Sequence, residues 1–173
     1  MSEPPLEDDA PAPAASRRLL TSRAECIGAL REALRNADAA GCRTLEWCDV
    51  DYVDWPLGEP GVIDVLSHWA RPHRRLVMYA LSFERLAARH PRWVVWRRRF
   101  AHVVSCRALH DVEAAQVPSL LVAPGLGCLR CPPIGLRRGA WSEDSAEMER
   151  TRLVLDALAQ RSVEAFPATT LGL

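Results

Sequence analysis

Three carboxylates stand close together in the stretch WCDVDYVDWPL, at Asp49, Asp51 and Asp54. Carboxylates at this spacing can act as nucleophile and general acid/base, or gather a divalent cation through hard oxygen ligands. The same residue type also builds loops, because an Asp side chain bonds backbone amides a residue or two further on. The preceding RTLEWCDV reads as a strand, so the trio falls at its C-terminal end. That is where open α/β sheets meet their ligands, and the trio is a candidate ligand-facing loop.

A second group carries the opposite charge. The stretch HPRWVVWRRRFAH offers Arg92, Arg97, Arg98 and Arg99 as anion-binding candidates, interleaved with Trp93, Trp96 and Phe100. Arginines among aromatics suit phosphate contact and base stacking, so residues 89–107 support an Arg-mediated nucleic-acid reading. The aromatics are spaced three and four apart, however. This favours an amphipathic helix that buries them on a sheet and solvates its arginines. The basic segment can also pair with the acidic loop, within the molecule or across a dimer.

Other chemistries are excluded or weakened. All 22 basic residues are arginine. Without lysine there is no Schiff base and no phosphate-gripping lysine of a Walker A loop. The single C-x-x-C, Cys128 to Cys131, falls on a predicted strand and offers only two of the four ligands a structural zinc needs. Buried, inert thiols are expected, with no metal site and no cofactor. His68, His73, His90, His102 and His110 form neither H-E-x-x-H nor a partnership with a G-x-S-x-G serine, and read as caps and surface groups.

The formal net charge of zero hides a polarity along the chain. Residues 65–107 hold ten arginines against one acid, Glu84, while residues 1–64 hold 13 acids against six arginines. With 49% hydrophobic and 25% charged residues, the composition is that of an ordinary folded domain with one core. The start of the chain has no apolar h-region, and no apolar run reaches about 18 residues, which predicts a cytosolic protein with reduced thiols and no membrane partner.

The elements that must position these residues are legible from periodicity. Residues 1–18 are acidic and Pro-rich and predict a disordered tail. A domain follows over 19–166, with a short C-terminal tail at 167–173. Ser22 and Glu25 have capping-box spacing ahead of Ile27, Leu30 and Leu34, and Gly41 closes that helix. The RTLEWCDV strand comes next, then a helix opened by Pro60 and closed by Pro72, and the strand RRLVMYAL. Helices FERLAARH and PRWVVWRRRF lead to HVVSCRAL, a hairpin turning at Pro124–Gly125, and a last helix from about Ser142 to Ala165. This order predicts an α/β domain, a single mixed sheet covered by helices on both faces.

That order, with the acidic D-x-D-x-x-D-W-P-L run of Asp49 to Leu57 after a strand, resembles one half of the phospholipase D-like superfamily, in particular uncharacterised proteobacterial members. The resemblance covers about Thr21 to Ala165. Active members carry H-x-K-x-x-x-x-D followed by G-S-x-N. Placed on VPSLLVAPG, that motif puts Val117 at the histidine, Ser119 at the lysine and Pro124 at the aspartate. Cys131, Pro132 and Ile134 take the next element. The resemblance therefore implies a catalytically degenerate half-fold acting as a binding or regulatory module, with an anionic or protein ligand, and a homodimer. DVDYV also fits the D-x-D-x-[TV] pattern of haloacid dehalogenase-like enzymes. On that alternative Asp49 and Asp51 centre a Mg²⁺-dependent phosphotransferase or phosphatase, though SEDSAE, the available further acidic stretch, falls at a predicted helix start.

Overall fold

A computed structural model describes residues 16–132 and 138–167 of the chain. Residues 1–15 and 168–173 of the two expected tails, and Ile134, lie outside the described residues.

Eight strands form one mixed sheet in the order β1-β7-β6-β5-β2-β3-β4-β8. The central strands β2 (Thr44–Cys48), β3 (Arg75–Ala80) and β4 (Val104–Leu109) are parallel. They are joined by crossovers through α2 (Pro60–Trp69) and through the pair α3 (Glu84–Arg89) and α4 (Pro91–Arg99). The hairpin β5 (Ser119–Ala123) and β6 (Gly127–Cys131) adds to the free side of β2, with β5 antiparallel to it. Right-handed crossovers place α2, α3 and α4 on one face. The first helix, α1 (Arg23–Ala39), packs beside α2 on that face. The last, α5 (Ser145–Gln160), lies alone on the other, against β4, β5 and β6.

The expected helices form for the expected reasons. Ser22 caps α1 by accepting from the Glu25 amide at 3.1 Å, and Glu25 reaches back to the Thr21 amide. Pro60 and Pro91 open α2 and α4, where a missing N–H costs nothing. The expected single core is instead two apolar layers separated by the sheet. One is led by Leu45, Trp47, Leu76, Met78 and Trp93, the other by Val77, Leu120, Val122 and Leu155. A central strand buried on both faces alternates between these layers rather than between core and solvent.

Three short strands depart from the sequence expectation. The expected tail runs into β1 (Arg17–Leu20), which pairs antiparallel with β7 (Gly139–Ser142) at one sheet edge. The expected last helix is shorter at both ends. Ser142 belongs to β7, and Asp144 caps α5 by accepting from the Ala146 and Glu147 amides. After Arg161 the chain extends as β8 (Ser162–Glu164) along β4. No described helix is long and apolar enough to cross a membrane.

Candidate functional site

The acidic loop is a built corner. Asp49 is the first residue after β2, and its amide donates to the Tyr79 carbonyl at 3.1 Å, which ties the loop to the end of β3. Its Oδ1 accepts from the amides of Asp51 at 3.1 Å and Tyr52 at 2.8 Å, while Oδ2 accepts from Trp55 Nε1 at 3.0 Å. These bonds turn the chain sharply enough to place Tyr52 in the left-handed region, at φ 57°. A bulky residue is rarely found there, and burial holds this one in place. The Tyr52 ring is fully buried between Trp55 and Phe83, and its hydroxyl donates to the Tyr79 carbonyl at 2.9 Å.

The other two carboxylates point elsewhere. Asp51 accepts from its neighbour Val53 and pairs with Arg85 of α3 at 2.5 Å. Asp54 pairs with Arg23 at the start of α1. Each aspartate therefore has its own partner, and the three do not converge. Among the described residues no three His, Cys, Asp or Glu side chains gather in a way that could hold a metal.

Beneath the loop lies His90, where α3 ends and α4 begins. It is a boundary residue as expected but a buried one, not a surface group. Its Nε2 donates to the Tyr52 carbonyl at 3.0 Å, so its proton is on Nε2. Burial pushes its pKa below the usual imidazole range, partly offset by that carbonyl.

The antiparallel register of β5 against β2 places Cys48 opposite Leu120, so Ser119 stands beside Asp49. Trp55 Nε1 links the two, reaching Ser119 Oγ at 3.4 Å. Ser119 in turn pairs with Cys131 across the hairpin. Asp49, Trp55, Ser119 and Cys131 thus share one edge of the sheet. Val117 lies just before it, buried in the layer under α5. Pro124 does not belong to this group. It lies at the hairpin tip, where its carbonyl accepts from Cys42, ahead of β2. Five residue steps of about 3.3 Å each separate it from Ser119. The acidic loop is therefore near the open ends of the hairpin and across the sheet from its tip.

The period of a strand also separates the C-x-x-C pair. Cys128 faces α5, where the Thr151 hydroxyl approaches its sulfur, whereas Cys131 faces α1 and lies within hydrogen-bonding reach of Cys26. Burial, then Cys26 and Asp49, push the Cys131 thiol far above its usual range, and burial likewise raises Cys26, Cys42, Cys48, Cys106 and Cys128.

The arginine candidates split into three places. Arg92 is exposed at the start of α4 and donates to the Gly58 carbonyl, at the acidic-loop end of the sheet. Arg98 and Arg99 are exposed at the opposite end of the helix, with Arg99 over the Phe100 ring. Arg97 is not a surface cation. It is 4% exposed and lies over the Phe166 ring. Its Nε and Nη1 have no hydrogen-bond partner among the described residues. Trp93 and Trp96 are buried, as the spacing predicted, and offer no stacking platform.

Comparison with known proteins adds the fold-level context. No protein-family model and no curated protein matches the sequence. Solved structures do match in shape. Nuc from Salmonella typhimurium, a phospholipase D family member, superposes with a TM-score of 0.57 at 6% identity, covering 87% of this chain and 98% of Nuc. This is a phospholipase D-like half-fold. TrmBL2, an archaeal chromatin protein whose structure shows a novel mode of DNA binding, aligns with a TM-score of 0.64 at 10% identity over 91% of this chain. The alignment takes in 56% of TrmBL2, so the half-fold spans little more than half of that protein.

Proposed function

We propose that this half-fold is a non-catalytic binding or regulatory module, in which the edge that would carry phosphoryl chemistry has become a structural corner. The observation that carries this reading is the engagement of all three carboxylates. Asp49 is held by two amides and the Trp55 indole, Asp51 by Arg85 and Asp54 by Arg23. A Mg²⁺-dependent phosphotransferase centred on Asp49 and Asp51 requires both to face one open site, and here they face different partners.

Covalent phosphohistidine chemistry lacks its parts at the same edge. The chain has no lysine, and among the described residues the side chains beside Asp49 at this edge are Trp55, Ser119 and Cys131. A serine with no base beside it and a thiol held protonated are poor nucleophiles at neutral pH. His90 lies beneath the loop, buried, with its Nε2 proton donated to the Tyr52 carbonyl.

The test is turnover of p-nitrophenyl phosphate and bis-p-nitrophenyl phosphate with and without Mg²⁺. The wild-type chain is expected to match Asp49→Asn at background. Turnover that requires Asp49 would overturn the reading and restore the enzyme alternative.

A further inference from the structure

We infer that the edge of the sheet opposite the acidic loop is a binding surface for the phosphate backbone of a nucleic-acid duplex. It lies at the N-terminal ends of β2, β3 and β4. These strands are parallel, so the segments that enter them meet side by side. The Arg75 amide donates to the Arg43 carbonyl at 2.9 Å and the Leu76 amide to the Val103 carbonyl at 2.9 Å. This gathers Arg43, Arg71, Arg74 and Arg75 with Arg98 and Arg99 at the end of α4. Arg74 is half-buried and the other five are exposed. The six come from three separate stretches of chain, Arg43, Arg71–Arg75 and Arg98–Arg99, and all but Arg43 fall in the basic segment 65–107.

None of the six pairs with a carboxylate among the described residues. Three of them have a local use: Arg71 donates to the His68 carbonyl and contacts its ring, Arg74 donates to the Gly41 carbonyl, and Arg99 lies over the Phe100 ring. The nearby counter-charges are few. Asp38 is engaged with His68 at 2.6 Å, and on the α5 face Glu46 and Asp156 stand among Arg152 and Arg75. The C-terminal ends of α1, α2 and α4 also face this edge, each equivalent to roughly −0.5 of a charge. Three such ends sum to about −1.5, far short of six guanidinium groups. Capping of helix ends therefore accounts for only part of the charge, and a strongly positive edge remains.

The shape favours a duplex backbone. Strands about 4.8 Å apart place the backbones of Arg43, Arg75 and the entry to β4 in a row some 10 Å wide. Arg75 projects toward the α5 face, as Val77 does, and α4 extends the row with Arg98 and Arg99 on the other face. Duplex DNA presents one phosphate per about 1.7 Å of axis, so a few of these cations can each meet one. His73, at the tip of the Arg71–Arg74 turn, is exposed and held in the left-handed region at φ 66°, a costly conformation for a non-glycine residue. Single strands are held by aromatic stacking as well as charge. Here Trp93 and Trp96 are buried and Phe100 is half-buried, so base stacking is not on offer. The surface lies across the sheet from Asp49, and binding there is independent of whether the acidic edge is catalytic.

Fluorescence anisotropy of the full chain with a labelled 20-base-pair duplex tests this. With four to six phosphate contacts, raising salt from 50 to 200 mM should weaken binding roughly 10²- to 10³-fold. Arg98→Gln/Arg99→Gln and Arg43→Gln/Arg75→Gln should each lose about 60-fold at 0.1 M salt, near 8-fold per contact, and flatten the salt slope by about 2. Arg92→Gln, at the far end of α4, should bind as wild type, and circular dichroism melts should show that all variants fold. Absence of a complex at 20 mM salt, equal loss in Arg92→Gln, tighter binding of the single strand, or binding of phosphatidylserine vesicles in place of the duplex would each overturn the inference.

Discussion

Replacing Asp49 tests whether the acidic loop is held from within. In Asp49→Ala the Asp51 and Tyr52 amides and the Trp55 indole lose their acceptor together. A hydrogen bond to a charged group is worth about 1.5–3 kcal/mol. The half-exposed position of Asp49 and the second acceptor that Trp55 has in Ser119 Oγ reduce the total, so the expected loss is about 3–4 kcal/mol. For a domain of this size that corresponds to a fall in Tm of about 6–16 °C. Asp49→Asn keeps an amide oxygen for the two backbone donors but turns its NH2 toward the Trp55 N–H. It should cost only about 1–1.5 kcal/mol. A double-mutant cycle with Trp55→Phe should return a coupling of about 1 kcal/mol for Asp49→Ala. Urea unfolding followed by tryptophan fluorescence measures all of these. Asp49→Ala within 0.5 kcal/mol of wild type, or Asn costing more than Ala, would refute the reasoning.

His90 makes stability depend on pH. Its pKa is lowered in the folded state, so the unfolded chain binds the extra proton first. Stability should be constant above about pH 7.5 and fall as pH drops through about 6.5, and His90→Gln should flatten that part of the profile in urea titrations. Arg97→Met should be as stable as wild type or more so, because a buried guanidinium with unpaired nitrogens gives way to an apolar chain of similar length. Arg97→Ala should instead lose about 2–3 kcal/mol by uncovering Phe166. A loss above about 2 kcal/mol in the Met variant would mean that the guanidinium has an acceptor stronger than the Cys106 sulfur beside it.

Much of the fold was legible because its signals are local. The Ser22–Glu25 cap, the prolines that open α2 and α4 and the three-and-four spacing of Trp93, Trp96 and Phe100 each act within one or two turns of chain. The strands β1, β7 and β8 were not legible, because three or four residues such as SVE or GAWS carry no period of their own. They become strands only where a partner edge meets them. The candidate site divides in the same way. Its position after β2 could be read, but the residues that occupy its carboxylates could not, since Arg85 and Arg23 lie 34 and 31 positions away in the chain. Linear spacing also misled where strand geometry governs. Ser119 and Pro124 look like parts of one motif yet stand at opposite edges, and Cys128 and Cys131 look like a pair yet face opposite sides of the sheet. Arg97 reads as one of three surface arginines because nothing in WRRRF marks which one the helix turns inward.

The strand order has a practical consequence. β1 and β8, the first and last strands, are the two outer edges of an eight-stranded sheet, separated by seven inter-strand steps of about 4.8 Å, or roughly 34 Å before twist. Domain ends often lie close together, which is what allows a chain to be rejoined and reopened elsewhere. Here a short linker cannot span the gap, and circular permutation would require at least ten extended residues across a sheet face. The same separation suits a pair of dyes placed near Arg17 and Pro167, where energy transfer would respond steeply to any opening of either edge strand.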